Sequence, residues 1–261
     1  MNGPRLDRKT ILNILLFCLI AWQLYSNFKQ QADRPQSRQP NHEDSANPRE
    51  VNTDGSSQGS TAGKFDYYAL VLSWSPSFCT SHGDNPQCSL TTRHKPYSFV
   101  LHGLWPQFQK GWPQDCPMDR PPFVPEPLIG EMLDIMPARQ LIIHEYKKHG
   151  TCSGLTPDAY FDLARKLYSS IKIPARFQNP GDNQTVSPDD LLAAFLQSNP
   201  DLKPNMIAVS CDRGGDNQLK EVHICISHDG QPTPCGRNEV QRKMCDAETM
   251  SVPPVRVSTA Q

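Results

Sequence analysis

The chain has 261 residues, a formal net charge of −1, 37% hydrophobic residues and 25 prolines, which favours a loop-rich globular fold over a helical bundle. A charge so near zero excludes a protein that grips nucleic acid through a broad basic surface, and leaves only local contacts to a polyanion. Of its 9 cysteines, Cys18 falls in an apolar N-terminal run, and the even remainder suits a disulfide framework in an oxidising compartment.

Residues 1–10 carry Arg5, Arg8 and Lys9 against Asp7 and read as a cytoplasmic N-terminus. The apolar run over 11–28 would make a helix of about 27 Å, near the roughly 30 Å hydrocarbon core, with Trp22 and Tyr25 as interfacial anchors. It is read as an uncleaved signal anchor in the inner membrane or a signal peptide that is removed, against the plainer alternative of a buried soluble helix. Either of the first two puts the remainder outside the cytoplasm, periplasmic or extracellular. Residues 29–63 are polar and Pro-containing, too poor in apolar surface to order themselves, and are expected to form a disordered linker. The folded domain is expected over 64–250, followed by a polar tail over 251–261.

Within that domain, the aromatic and aliphatic run Phe65–Trp74 predicts a central strand that breaks at Ser75-Pro76. A second strand, Tyr97–His102, ends at the segment Leu101-His102-Gly103-Leu104-Trp105-Pro106. Residues 106–127 are rich in Pro, Gln, Asp and aromatics, and read as a long loop over a cleft. A short helix over 128–136 stops at Pro137. The periodicity of Tyr160, Leu163, Ala164 and Leu167 predicts an amphipathic helix capped by Thr156, and Ser187-Pro188 starts another. Two strands, Met206–Cys211 and Leu219–Ile226, flank a Gly214-Gly215 turn; the second alternates with Leu219, Glu221, His223 and Cys225 on one face.

The stretch that calls for a chemical explanation is His144-Glu145-Tyr146-Lys147-Lys148-His149-Gly150-Thr151-Cys152. At about 100° per residue, an α-helix would put His144, Glu145, Lys148 and His149 within an arc of roughly 140°. Two imidazoles that titrate near neutrality, with a carboxylate and an ammonium between them, suit proton transfer around a reacting phosphorus. The metalloprotease pattern His-Glu-x-x-His needs its histidines four apart; here they are five apart, with a lysine beside the second that would repel a cation. No metal and no cofactor are expected. His82, His94, His223 and His228 have no partner pattern in the sequence and read as surface or strand-face histidines.

These two segments resemble the ribonuclease T2 family, bacterial ribonuclease I-like members among them. The resemblance runs from Phe65 to Cys245 and includes Phe65-Asp66-Tyr67-Tyr68 and Ser73-Trp74-Ser75-Pro76-Ser77-Phe78-Cys79. It implies an α+β fold, an antiparallel sheet flanked by helices, stapled by the disulfides Cys79–Cys88, Cys116–Cys152, Cys211–Cys245 and Cys225–Cys235. It implies an endonuclease for single-stranded RNA that attacks phosphorus with the adjacent 2′-hydroxyl to leave a 2′,3′-cyclic phosphate. His149 would be the base and His102 the acid, Glu145 and Lys148 would assist the transition state, and His144 would hold the phosphate. Trp105 and Trp112 are candidate stacking plates for a base. Gln107 stands where some members carry an acidic residue, which implies low base specificity. A monomer acting on RNA is expected. A metal-dependent hydrolase, or an inactive membrane-tethered RNA-binding protein, are the readings from other classes.

Overall fold

The sheet is built outward from one strand, β1 (Tyr67–Trp74), which is buried along nearly its whole length and pairs antiparallel on both edges. Tyr68, Leu70, Leu72 and Trp74 enter the main hydrophobic cluster. Their alternates Tyr67, Val71 and Ser73 turn to the opposite face of the sheet, as the two-residue period of a strand requires. In this computed structural model residues 60–83, 85–88 and 96–255 are described; the expected cytoplasmic end, the apolar run and most of the linker lie outside them. Among the described residues no helix is long and apolar enough to cross a membrane.

After β1 the chain forms a short helix, α1 (Ser75–Ser81), where the sequence suggested only a break, with Pro76 in its first turn. Strand β2 (Phe99–Gln107) follows and is an edge of the four-stranded sheet. The sequence pattern ended this strand at His102, but pairing continues to Gln107. Pro106 is tolerated inside it because an edge strand hydrogen-bonds on one side only. The β1–β2 register slips between Val71, which faces Gly103, and Leu72, which faces Leu101. His102 is therefore the extra residue of a β-bulge, a device that re-aims a side chain out of the regular pleat.

Helix α2 (Glu126–Met132) is followed by α3 (Arg139–Glu145), which continues into a π-helical turn, Tyr146–Gly150, and a last helical turn, Thr151–Ser153. Gly154 closes it in the left-handed conformation, φ 77°. Helix α4 (Pro157–Ser170) starts where Thr156 accepts a hydrogen bond from the Ala159 amide. Strand β3 (Gln184–Val186) and helix α5 (Pro188–Ser198) come next; α5 has a capping box between Ser187 and Asp190. The hairpin of β4 (Ile207–Cys211) and β5 (Leu219–Ile226) completes the sheet in the order β2-β1-β5-β4, and α6 (Gln241–Met244) is a single turn.

The chain then makes β6 (Met250–Val252), antiparallel to β3, with Met250 and Val252 buried and the Trp74 indole donating to the Pro253 carbonyl at 3.1 Å. This pairing crosses the boundary that the sequence reading drew at residue 250. Three-residue strands are too short to show a period, so neither β3 nor β6 was visible in the pattern. The fold is α+β with four disulfides, Cys79–Cys88, Cys116–Cys152, Cys211–Cys245 and Cys225–Cys235, the pairs that the resemblance implies.

Candidate active site

Two local irregularities bring the site together. The bulge aims His102 off β2, and the π-turn adjusts the helical face that carries the other residues. A π-turn closes its hydrogen bonds five residues apart, as Thr151 N–H to the Tyr146 carbonyl does here. Residues four and five apart then share a face more closely than in an α-helix. His144, Glu145, Lys148 and His149 all line one cavity, while Tyr146 turns into the core. The arc drawn from α-helical geometry is corrected to this tighter one.

Every site residue named from the sequence, from His102 to His149, lines one cavity of about 330 Å³. A second cavity, of about 630 Å³, lies between α1, α3 and the start of β5, and shares His102 and His144 with the first. His102 Nδ1 lies 2.7 Å from Glu221 Oε1, and its Nε2 is 3.6 Å from Glu145 Oε1. The Trp105 indole donates to Glu145 Oε2 at 2.5 Å. Between them Gly103 leaves no space: an added Cβ would fall on the Glu145 carboxylate and the Trp105 ring nitrogen. Gly150 makes the same close approach to the Tyr146 ring.

Trp105 organises three imidazoles. His149 stacks on it with centroids 4.9 Å apart, and His102 and His223 meet it edge-on at 5.1 and 5.6 Å. One indole face and the ring nitrogen are thus already engaged. Trp112 is 51% exposed at the cavity rim, and is the freer plate for a planar ligand. Gln107 is buried and its Oε1 accepts from Asn238 at 2.9 Å. The loop carrying Trp112 is fastened below the π-turn by Cys116–Cys152, by Cys116 N–H to Thr151 Oγ1 and by Asp115 N–H to the Lys148 carbonyl.

The charges are unevenly shared. Burial alone would push His102 down, but its hydrogen bond with Glu221 and the charges of Glu145 and Glu221 raise it above the ordinary imidazole value. His149 goes the other way, to about 3, through burial first and then the positive charges of Lys148, His102 and His144. Its Nδ1 is buried without a hydrogen-bond partner. Burial pushes Glu145 up to about 7, against the opposing pull of His102, Trp105 and Lys148. His144 is exposed and lowered by partial burial and by Lys148. At neutral pH one imidazole is set to give a proton and the other to take one.

Sequence reasoning passed over Glu221, His223 and Glu239. His223, which read as an ordinary strand-face histidine, is buried with its Nε2 3.1 Å from Glu221 Oε2. The available signal was on β5, where a glutamate and a histidine alternate on the same face as Leu219 and Cys225. A face carrying a leucine and a bridged cysteine is a buried one, so charges there needed partners. Among the described residues the trio grouped tightly enough to suggest a metal is Cys225, Cys235 and Glu239, but its two sulfurs are bonded to each other.

Comparisons with known proteins point to one family. The sequence model of the ribonuclease T2 family matches residues 65–235. A ribonuclease of Aeromonas hydrophila is 34% identical over 70% of this chain and 81% of its own length. Ribonuclease I of Escherichia coli K12 is 30% identical over 69% of this chain and 82% of its own. Among solved structures, trichomaglin, an S-like ribonuclease, superposes with a TM-score of 0.60 at 22% identity, covering 74% of this chain and 100% of trichomaglin.

Proposed function

This chain belongs to the ribonuclease T2 family and is an RNA endonuclease, and from that premise we propose that it cleaves single-stranded RNA by metal-independent transphosphorylation with low base specificity. His149 takes the proton of the ribose 2′-hydroxyl as O2′ bonds to phosphorus. His102 gives a proton to O5′ as the P–O5′ bond breaks. The products are a 2′,3′-cyclic phosphate and a free 5′-hydroxyl. Lys148 stabilises the oxygens of the crowded phosphorane, where charge is greatest, and Glu145 does so in its protonated form by donating a hydrogen bond. His144, at the junction of the two cavities, holds the phosphate, and a nucleoside on each side of it occupies one cavity.

The observation that carries this reading is the opposite perturbation of two imidazoles packed on one indole, His102 raised and His149 lowered to about 3. At neutral pH this holds His102 toward its protonated form and His149 in its neutral form, the states that an acid and a base at one phosphate must start from. Low specificity is supported by the neutral Gln107 and by the exposed Trp112, whose ring face accepts any base. The N-terminal segment is proposed to tether the enzyme outside the cytoplasm. Its basic end and apolar run support that, as do four disulfides that persist only where thiols are oxidised.

The test is digestion of total RNA in excess EDTA with analysis of the new ends, beside His102→Ala and His149→Ala. Cleavage unaffected by the chelator, cyclic phosphate ends, and a loss of about 100- to 10,000-fold in each variant are expected. Abolition by EDTA, or 3′-hydroxyl ends, would sink the reading.

A further inference from the structure

One buried set of titratable groups has no part in the chemistry above. Glu221 bridges two imidazoles, with Oε1 2.7 Å from His102 Nδ1 and Oε2 3.1 Å from His223 Nε2. Beyond, His223 Nδ1 lies 3.9 Å from Glu239 Oε1, and the Tyr67 hydroxyl donates to Glu239 Oε2. Glu221, His223, Glu239 and Tyr67 are all buried. Acid and base alternate along the face of the sheet that carries Tyr67, Val71 and Ser73, and His223 and Glu239 line the first cavity beside His102.

We propose that Glu221 is the positioning residue of His102, and that His223 is the counter-charge that limits how strongly Glu221 holds His102 in its protonated form. The inference rests on the reading of His102 as the acid. By accepting from Nδ1, Glu221 fixes the ring and leaves Nε2, the atom near Glu145, as the one that carries the transferable proton.

Several charges act on His102. Glu145 reaches it from the end of α3, Glu221 and His223 from β5, and Lys148, His144 and His149 share its cavity from the helical side. The carboxylates favour the imidazolium, and the charge of His223 opposes it. His223 is faced by Glu221 on its own strand, by Glu239 from the segment after Cys235, and by His102 from β2 through their common carboxylate. Burial alone would lower His223, but its two carboxylate neighbours raise it to about 9, so it stays charged at neutral pH. Glu221 is thereby shared between two cations and held ionised, well below the usual carboxylate range, against the cost of its burial.

The test combines an NMR titration of the histidine rings with kcat and KM against pH for the wild type, Glu221→Gln, Glu221→Asp and His223→Gln. Two substrates are used: a dinucleoside phosphate, and an aryl ester of a nucleoside 3′-phosphate whose leaving group departs without an acid. In Glu221→Gln the His102 titration is expected to fall by about one pH unit or more. The alkaline limb of kcat follows it, so dinucleotide cleavage above that limb drops about tenfold, while KM and aryl ester cleavage are unchanged. Glu221→Asp recovers part of the loss. In His223→Gln both the titration and the limb move upward.

A Glu221→Gln protein with an unmoved His102 titration would overturn the coupling, and so would one that loses both substrates equally, which is what damage to the fold predicts. A downward movement in His223→Gln would overturn the counter-charge role. A shifted titration with an unchanged dinucleotide rate would instead overturn the acid role of His102 while the coupling stood.

Discussion

The two halves of the site differ in what surrounds the same functional group. On the sheet side, His102 projects from a bulge among carboxylates, Glu221 at 2.7 Å and Glu145 at 3.6 Å. On the helical side, His149 is buried beside Lys148 and the His144 imidazole, and its Nδ1 has no partner. Identical side chains packed on one indole thus have their proton affinities shifted in opposite directions. The lesson is that neither imidazole is specialised by its own position in the sequence. Each is specialised by the charges that neighbouring residues bring to it: Glu221 from β5 and Glu145 from α3 for His102, and Lys148 from the π-turn for His149.

The largest effects should come from removing either imidazole, and they should differ. His149→Ala is expected to lose about 100- to 10,000-fold on both a dinucleotide and an activated aryl ester, since both reactions need the base. His102→Ala should lose as much on the dinucleotide and almost nothing on the ester. Equal losses on the two substrates would erase the distinction between the halves. Next comes the anchor of the helical half: replacing Cys116 and Cys152 by serine should cost about 2–4 kcal/mol in urea unfolding, by freeing the loop from the π-turn. Gly103→Ala tests the seam. Its Cβ would displace Glu145 and the Trp105 ring, so a destabilisation of about 1–3 kcal/mol is expected, with a fall in kcat because Glu145 moves.

The smallest effect sharpens the sheet side through pH. His223 is raised from 6.5 to about 9, so its contribution to stability is full below pH 6.5 and is lost as pH rises through 9. Thermal melts of the wild type should therefore decline between those values, and His223→Gln should flatten that arm. An unchanged slope in the variant would remove His223 from the charged network.

The helical half was the more legible in sequence, because its residues are contiguous: six positions carry His144, Glu145, Lys148 and His149. Even there, the pattern presupposed an α-helix and could not reveal the π-turn, which arises from i, i+5 hydrogen bonding and not from residue type. The sheet half was only partly legible. His102 and Trp105 stood in a recognisable segment, but Glu221 comes from a strand more than a hundred residues later, joined to His102 only by antiparallel pairing through β1. The alternation on β5 placed Glu221 and His223 on one face; what it lacked was the knowledge that this face is covered. The helices at Thr156 and Ser187 were read from their caps, whereas β6 drew its burial from contacts that no local period records.

The two hollows that meet at His102 and His144 are both open to solvent. Among the described residues none closes off either hollow, so a polymer can be laid sideways across the junction with both of its termini trailing free. A covalently closed circle of RNA should be opened about as readily as a linear strand of the same sequence.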